Sequence, residues 1–345
     1  MKKIVVILWS ICLLQLSVFC YGPKGHSLVG AIADIKLREN KKAMAKVTEL
    51  LDGLTLEKVA NWADIIKGWD DCGGEPRQTK LWASERINLE FRAFVAANKC
   101  DSEFDHHQYH YTDVPITGKE KYKDGKIGRS DKDIVHMIAY CIRVLGNKEP
   151  QPNPRAITKT VAIVLLAHYL GDIHQPLHVG AEYFDAKGEP FTPSYGNKGF
   201  ADQGGNKLTL YLFVDGKTKA MSQEKFHSYW DSKIFTAAYG ETPISEIAAA
   251  MAPVEPKQWK LTGNPDSLAE QMANEILPIA REAHSRLAYS KVEIDEKSND
   301  IIKGRATEKQ VSGQESYAIW SQRIVKDEIN KAGWRLSAIL TALFK

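Results

Sequence analysis

Val161-Ala-Ile-Val-Leu-Leu-Ala-His168-Tyr-Leu-Gly-Asp172 is the stretch on which the reading of this chain turns. It closes the run Ala156–Leu170, which is apolar nearly all round, as a helix at the centre of a bundle requires. Into that run the sequence sets a histidine and a carboxylate four residues apart. On a helix the two side chains point the same way, about 40° apart, so they can share one metal ion. Burying Asp172 without a partner would be expensive, which argues against an accidental pair. His227-Ser-Tyr-Trp-Asp231 repeats the spacing on a second predicted helix, and Pro176 ends the first helix just before His178. Half of these donors are imidazoles, which favours zinc over calcium.

Outward from this segment the periodicity is helical. Leu28, Val29, Ile32 and Ile35 form one face, and Ala43, Val47, Leu50 and Leu51 another; Val59, Trp62, Ala63 and Ile66 repeat the pattern. Further helices are expected at about 131–145, 155–172, 222–238, 266–289 and 317–343, with ends good to ~2–4 residues. Lys207–Val214, ahead of Asp215-Gly216, alternates like a strand and predicts a small hairpin. The stretches 72–80, 114–130 and 181–205 read as surface loops, the last long enough for a functional flap. No repeat or linker divides the chain. The expectation is a mainly α fold, a single-domain helical bundle with a small β-hairpin.

The composition agrees. The chain has 345 residues, 43% of them hydrophobic and 26% charged, with 46 Lys+Arg against 43 Asp+Glu. Met1-Lys2-Lys3 followed by the apolar run Ile4–Phe19 has the layout of a secretory signal, and the run is short for a membrane span. Residues 1–20 are therefore expected to be a signal peptide cut at Cys20/Tyr21, with 21–345 the exported domain, secreted or periplasmic. A lipid on Cys20 is disfavoured by bulky Phe19 before it. Without Lys2 and Lys3 the balance is 44 to 43, which leaves no basic face for a general grip on duplex nucleic acid. In an oxidising compartment Cys72 and Cys100 could form a disulfide, whereas Cys141 lies in an apolar run and reads as a small buried hydrophobe.

Three more candidates lie upstream: His26 in Tyr21-Gly-Pro-Lys-Gly-His26, Asp64 in Asn61-Trp-Ala-Asp64, and His110 in Tyr109-His-Tyr-Thr-Asp113. His106, His107, His136, His174 and His284 read as solvated or supporting residues. The ordered set Tyr-Gly-x-x-Gly-His, Trp-Ala-Asp, His-Tyr-x-Asp, His-x-x-x-Asp-x-x-x-Pro-Leu-His, Gly-Gly-Asn-Lys and His-x-x-x-Asp resembles the trinuclear-zinc nucleases of the S1/P1 family, relatives of zinc-dependent phospholipase C. The motifs run from Tyr21 to Asp231; the last, helical third fits less specifically.

That resemblance implies a helical fold with three zinc ions in its cleft. Carried over by position, Asp64, His110, His168 and Asp172 would hold one ion. Asp172 would bridge to a second, held also by His26 and by the amino group and carbonyl oxygen of Tyr21. His178, His227 and Asp231 would hold the third. Asp113 matches the family's catalytic carboxylate, and Lys67 stands where a phosphate-binding Arg is usual, keeping charge but losing the bidentate fork. Tyr111 takes the place of a base-stacking aromatic, and Asn206, beside Gly205, that of a base-contacting amide. Tyr21 replaces the family's N-terminal Trp, which leaves backbone ligand atoms unaffected.

The implied activity is hydrolysis of single-stranded DNA and RNA to 5′-phosphate products by a nuclease, with 3′-nucleotidase activity. Nucleic acid and nucleotides would be its partners, with no protein partner and no stable membrane association implied. Stacking needs an unpaired base, which gives single-strand preference without a basic groove. Two rivals stand beside it. A phospholipase C would want an apolar rim, where the 181–205 stretch carries Gly, Asp and Lys. A non-catalytic zinc-binding surface protein would have no use for Asp113.

Overall fold

The computed structural model describes residues 22–70, 80–213 and 221–345. The expected leader, Tyr21, Cys72 and the Asp215-Gly216 turn lie outside the described residues. Helix α1 (Gly22–Leu37) is followed by α2 (Lys41–Leu50), which opens on Asn40, its side chain accepting the Ala43 N–H. Two single turns, α3 (Leu56–Val59) and α4 (Trp62–Ile65), lead into a 3-10 turn over Ile66–Trp69. Ser84 caps α5 (Glu85–Ala97). After a second 3-10 turn, His106–His110, and strand β1 (Val114–Pro115), Asp133 caps α6 (Ile134–Leu145) through the Val135 and His136 N–H groups. Thr158 caps α7 (Lys159–Ile173).

Every residue of α7 from Thr160 to Ile173 is buried, as the all-round apolar pattern predicts for a central helix. It packs on α1, α4, α5 and α6. The buried apolar side chains form one continuous cluster, from Leu28 and Ile32 through Val161 and Leu165 to Leu336 and Leu340.

Beyond α7 come β2 (Gly180–Ala181), which pairs in parallel with β1, and β3 (Tyr183–Phe184), which pairs antiparallel with β4 (Phe200–Ala201). The 181–205 stretch, expected as a loop, is thus pinned at both ends. β5 (Leu208–Phe213) pairs with β6 (Met221–Lys225), giving the expected hairpin. A turn of α8 (Phe226–Ser228), a π-helical turn (Tyr229–Lys233) and α9 (Ile234–Tyr239) follow, then α10 (Ile244–Met251) and α11 (Leu268–Ser285). Strands β7 (Leu287–Asp295) and β8 (Asp300–Glu308) precede the long terminal helix α12 (Tyr317–Leu343), which packs along α1.

The fold is mainly helical, and three sequence expectations need correction. The hairpin is half of a four-stranded sheet, ordered β6-β5-β8-β7, in which β8 joins β5 in parallel. The helix expected over 222–238 starts only at Phe226, after β6, and that expected over 266–289 stops at Ser285 so that β7 can begin. A bulge between Ser290 and Glu293 breaks the alternation of β7, which hides it from a period-two search. Among the described residues no helix is long and apolar enough to cross a membrane. Cys141 is buried and free, as its apolar surroundings predict.

Candidate metal centre

His168 and Asp172 leave α7 on one face, His168 Nε2 lying 3.1 Å from Asp172 Oδ2. Two upstream segments bring their side chains to the same point. His110 Nδ1, at the end of its 3-10 turn, stands 3.0 Å from Asp172 Oδ2 and 3.1 Å from His168 Nε2. Asp64 Oδ1, from α4, is 3.6 Å from His168 Nε2 and 3.7 Å from His110 Nδ1. On the other side, His26 of α1 stacks on His168 with ring centroids 3.7 Å apart, its Nε2 3.3 Å from Asp172 Oδ1. That approach depends on Gly171, where a Cβ would fall 2.7 Å from His26 Nδ1.

A second cluster adjoins the first. His227 Nε2 lies 3.3 Å from Asp231 Oδ2, and His178 Nε2 lies 3.9 Å from Asp231 Oδ1. Gln175 donates to Asp231 Oδ1 at 3.0 Å. Asp231 belongs to the π-helical turn, a local irregularity that re-aims side chains at functional sites. Tyr21 falls outside the described residues; Gly22 lies against Asp231, its would-be Cβ 3.1 Å from the Asp231 carbonyl oxygen. Two sets share His168, namely His26, His168 and Asp172 with Asp64, His110 and His168, and a third, His178, His227 and Asp231, adjoins them, His178 Nδ1 lying 3.9 Å from Asp172 Oδ1.

The donor chemistry suits cations. His168, His178 and His227 each direct Nδ1 to a backbone carbonyl at 2.7 Å, of Ala60, His110 and Gly204 respectively. That fixes the tautomer and turns each Nε2 lone pair toward the cluster, the usual support for a ligating imidazole. Burial depresses the basicity of His26, His110 and His178, and takes His227 down to about 3, so these rings are neutral near pH 7. Burial opposes ionisation of Asp64 and Asp172, yet Lys67 and His168 hold the first, and His168 and His178 the second, well below the usual range. His168 alone is drawn up, because Asp172 and Asp64 outweigh its burial; a cation between them would replace that proton. Asp64 Oδ2, Asp172 Oδ1 and His178 Nε2 are buried without a hydrogen bond, an arrangement costly unless another ligand meets them. Neutral imidazoles among ionised carboxylates fit zinc.

Beside the cluster opens a cleft of about 400 Å³. Tyr111 and Asp113 line one wall, with Tyr111 40% exposed and able to take a flat partner. Desolvation pushes the Asp113 carboxyl up to about 7. Its backbone is fixed by three contacts: its N–H donates to the Gly128 carbonyl at 2.8 Å, the Tyr183 hydroxyl donates to its own carbonyl at 2.8 Å, and Gly128 packs against it.

Other expected site residues are placed differently. Lys67 pairs with Asp64 Oδ1 at 2.9 Å. Asn206 turns its amide to the Gln203 carbonyl at 2.9 Å, and Gly205 faces the Phe226 ring. It is Gln203 that lines the cleft, together with Lys198 and, from the β7–β8 turn, Asn299 and Asp300. No motif marks the last two, because only the sheet brings residue 299 beside residue 111. Of the histidines read as supporting, His136 bonds Asp133 and Tyr122, His284 bonds Tyr289, and His174 bonds the Leu170 carbonyl while accepting from Arg335 of α12.

Comparison with known proteins agrees with this architecture. The family model described as S1/P1 Nuclease matches residues 21–345. Among curated proteins of Arabidopsis thaliana, the chain is similar to Endonuclease 4, at 25% identity over 64% of this chain and 56% of that protein. It is similar also to Endonuclease 5, at 23% identity over 67% of this chain and 63% of the relative. Endonuclease 2 matches at 23% identity over 63% of this chain and 57% of its own length. The alignments thus span 56–63% of these relatives' own length. With the family model matched from residue 21 to residue 345, the chain belongs to the S1/P1 nuclease family.

Proposed function

We propose that this protein is a zinc-dependent phosphodiesterase, a nuclease that cuts single-stranded DNA and RNA to 5′-phosphate products and removes phosphate from 3′-nucleotides. The observation that carries the reading is the gathering of eight buried side chains into three adjoining donor sets, with Tyr111 and Asp113, which follow His110 in the chain, lining a cleft. Asp64, His110, His168 and Asp172 would hold one zinc, and Asp172, His26 and the amino terminus and carbonyl of Tyr21 a second. His178, His227 and Asp231 would hold the third. Zinc so held supplies Lewis acidity toward a phosphodiester and an acidified water near neutral pH. The chain's own groups do the rest. Asp113, buried enough to stay basic, orients the attacking water and receives its proton. Tyr111 stacks on an unpaired base, with Gln203 lining the same cleft and Asn206, next to it in the Gly-Gly-Asn-Lys stretch, as the base-contacting amide. Lys67, moving from Asp64 toward a bound phosphate, offsets charge there. We read residues 21–345 as one domain, exported after removal of residues 1–20 and carrying a Cys72–Cys100 bridge.

One preparation tests this. Metal analysis is combined with digestion of single-stranded RNA, single-stranded DNA, duplex DNA and phosphatidylcholine, and product ends are read by mass spectrometry. Three zinc ions, faster cleavage of the single strands and 5′-phosphate ends are expected. Hydrolysis of phosphatidylcholine alone would establish the lipase rival, and bound zinc with no hydrolysis the non-catalytic one.

A further inference from the structure

Asp70, His106 and His107 stand apart from the eight groups of the centre. Asp70 closes the 3-10 turn Ile66–Trp69, and the two histidines open the turn His106–His110. His106 Nε2 lies 3.2 Å from Asp70 Oδ2, and His107 Nε2 lies 3.0 and 3.2 Å from Asp70 Oδ1 and Oδ2. All three donor atoms fall within 4.8 Å of one another. These separations equal those inside the main centre, where His168 and Asp172 stand 3.1 Å apart and His227 and Asp231 3.3 Å. Asp70 and His106 are buried and His107 is partly exposed.

The donors are also held in place from behind. The Cys100 N–H donates to Asp70 Oδ2 at 3.0 Å, and the His107 N–H to Asp105 Oδ1 at 3.0 Å. Outer hydrogen bonds of this kind orient ligating carboxylates and the turns that carry imidazoles. A carboxylate needs one imidazole to make an ion pair. Here two adjacent rings, with centroids 4.6 Å apart, aim Nε2 at the same carboxylate. A divalent cation would accept both Nε2 lone pairs and the carboxylate at once.

We infer that Asp70, His106 and His107 bind a further divalent cation, of the borderline class that imidazole and carboxylate suit together, zinc first. The ion joins the two segments that also carry Asp64 and His110, six residues before Asp70 and three after His107. It acts as a clasp on ligand-bearing segments and touches no substrate. The inference is independent of the nuclease reading.

The test compares the purified protein with Asp70→Asn and His107→Ala, each saturated with zinc and freed of excess by gel filtration. Zinc content is measured by mass spectrometry, and thermal unfolding is followed in zinc and in chelator. Each variant is expected to hold one zinc fewer than the parent and to lose part of the rise in Tm that zinc confers. Equal zinc content in parent and His107→Ala overturns the inference, and so does a Tm deficit equally large in zinc and in chelator, the mark of a hydrogen-bonded triad. His107 is partly exposed, so its removal leaves the core closed even if Asp70→Asn fails to fold. Should the main centre hold fewer than three ions, the difference between parent and variant still reports this site.

Discussion

At the scale of single residues, Asp113 and Tyr111 both line the cleft, and the proposed function gives them different steps. Burial alone lifts the Asp113 carboxyl to about 7. Asp113→Asn is expected to lower kcat by on the order of 10²–10⁴ with zinc content unchanged, the scale of a lost proton acceptor. Steady-state kinetics beside metal analysis check this, and a fall in zinc would make Asp113 a ligand instead. Tyr111→Ala should act mainly on KM, by a stacking loss of about 1–3 kcal/mol per base. An unchanged KM on oligonucleotides would put the base elsewhere, with Gln203 and Asn299 the next residues to vary. The pairing of Tyr111 with Asp113 in one cleft was readable in the His-Tyr-x-Asp motif. The posts of Gln203 and Lys67 were not, since a motif gives a residue's position and not the direction of its side chain.

At the scale of elements, two contacts set where α1 lies. Gly171 gives His26 room beside α7, and a methyl there would sit 2.7 Å from His26 Nδ1. Gly171→Ala is expected to cost about 1–3 kcal/mol by overpacking and to displace His26. Thermal unfolding and zinc analysis should show both a lower Tm and a lost ion. Full zinc content at an unchanged Tm would refute the contact's importance.

The second contact is Asp34, whose carboxylate accepts the Leu56 and Glu57 N–H groups at 3.1 and 3.0 Å and so ties α1 to the start of α3. Burial outweighs those bonds and pushes its carboxyl up to about 6. The native state therefore binds this proton more tightly than the unfolded chain does. The contribution is greatest below about pH 4 and declines as pH rises toward 6, by roughly 3 kcal/mol for a shift of about two units. Denaturant unfolding at pH 4 and pH 7 should show Asp34→Asn gaining on the parent by about that amount. A difference independent of pH would refute it.

At the scale of the whole molecule, the prediction concerns export. The amino nitrogen assigned to the second zinc is a free amine only after residues 1–20 are removed. In the uncut chain it is an amide, whose lone pair is delocalised into the carbonyl and binds metal poorly. A form retaining residues 1–20 should therefore hold one zinc fewer and be nearly inactive, as should one beginning with an extra Met before Tyr21. Mass spectrometry of the exported protein reads the cut site. Full zinc and full activity in an extended form would remove Tyr21 from the ligand set.

The sequence by itself determined the central helix, because an all-round apolar run of this length must be covered on every side, and it set His168 and Asp172 on one face, because i,i+4 spacing on a helix is a local property. Tertiary structure alone decided how the donors group. His26, His110 and Asp172 meet only where α1 and the turn His106–His110 pack on α7. It also decided the sheet, since β8 reaches β5 across some ninety residues of chain and β7 carries a bulge that no alternation betrays. The Asp70–His106–His107 set is of the same kind. Its residues looked ordinary in the sequence because their meaning lies in a distance of 3.0 Å between segments more than thirty residues apart.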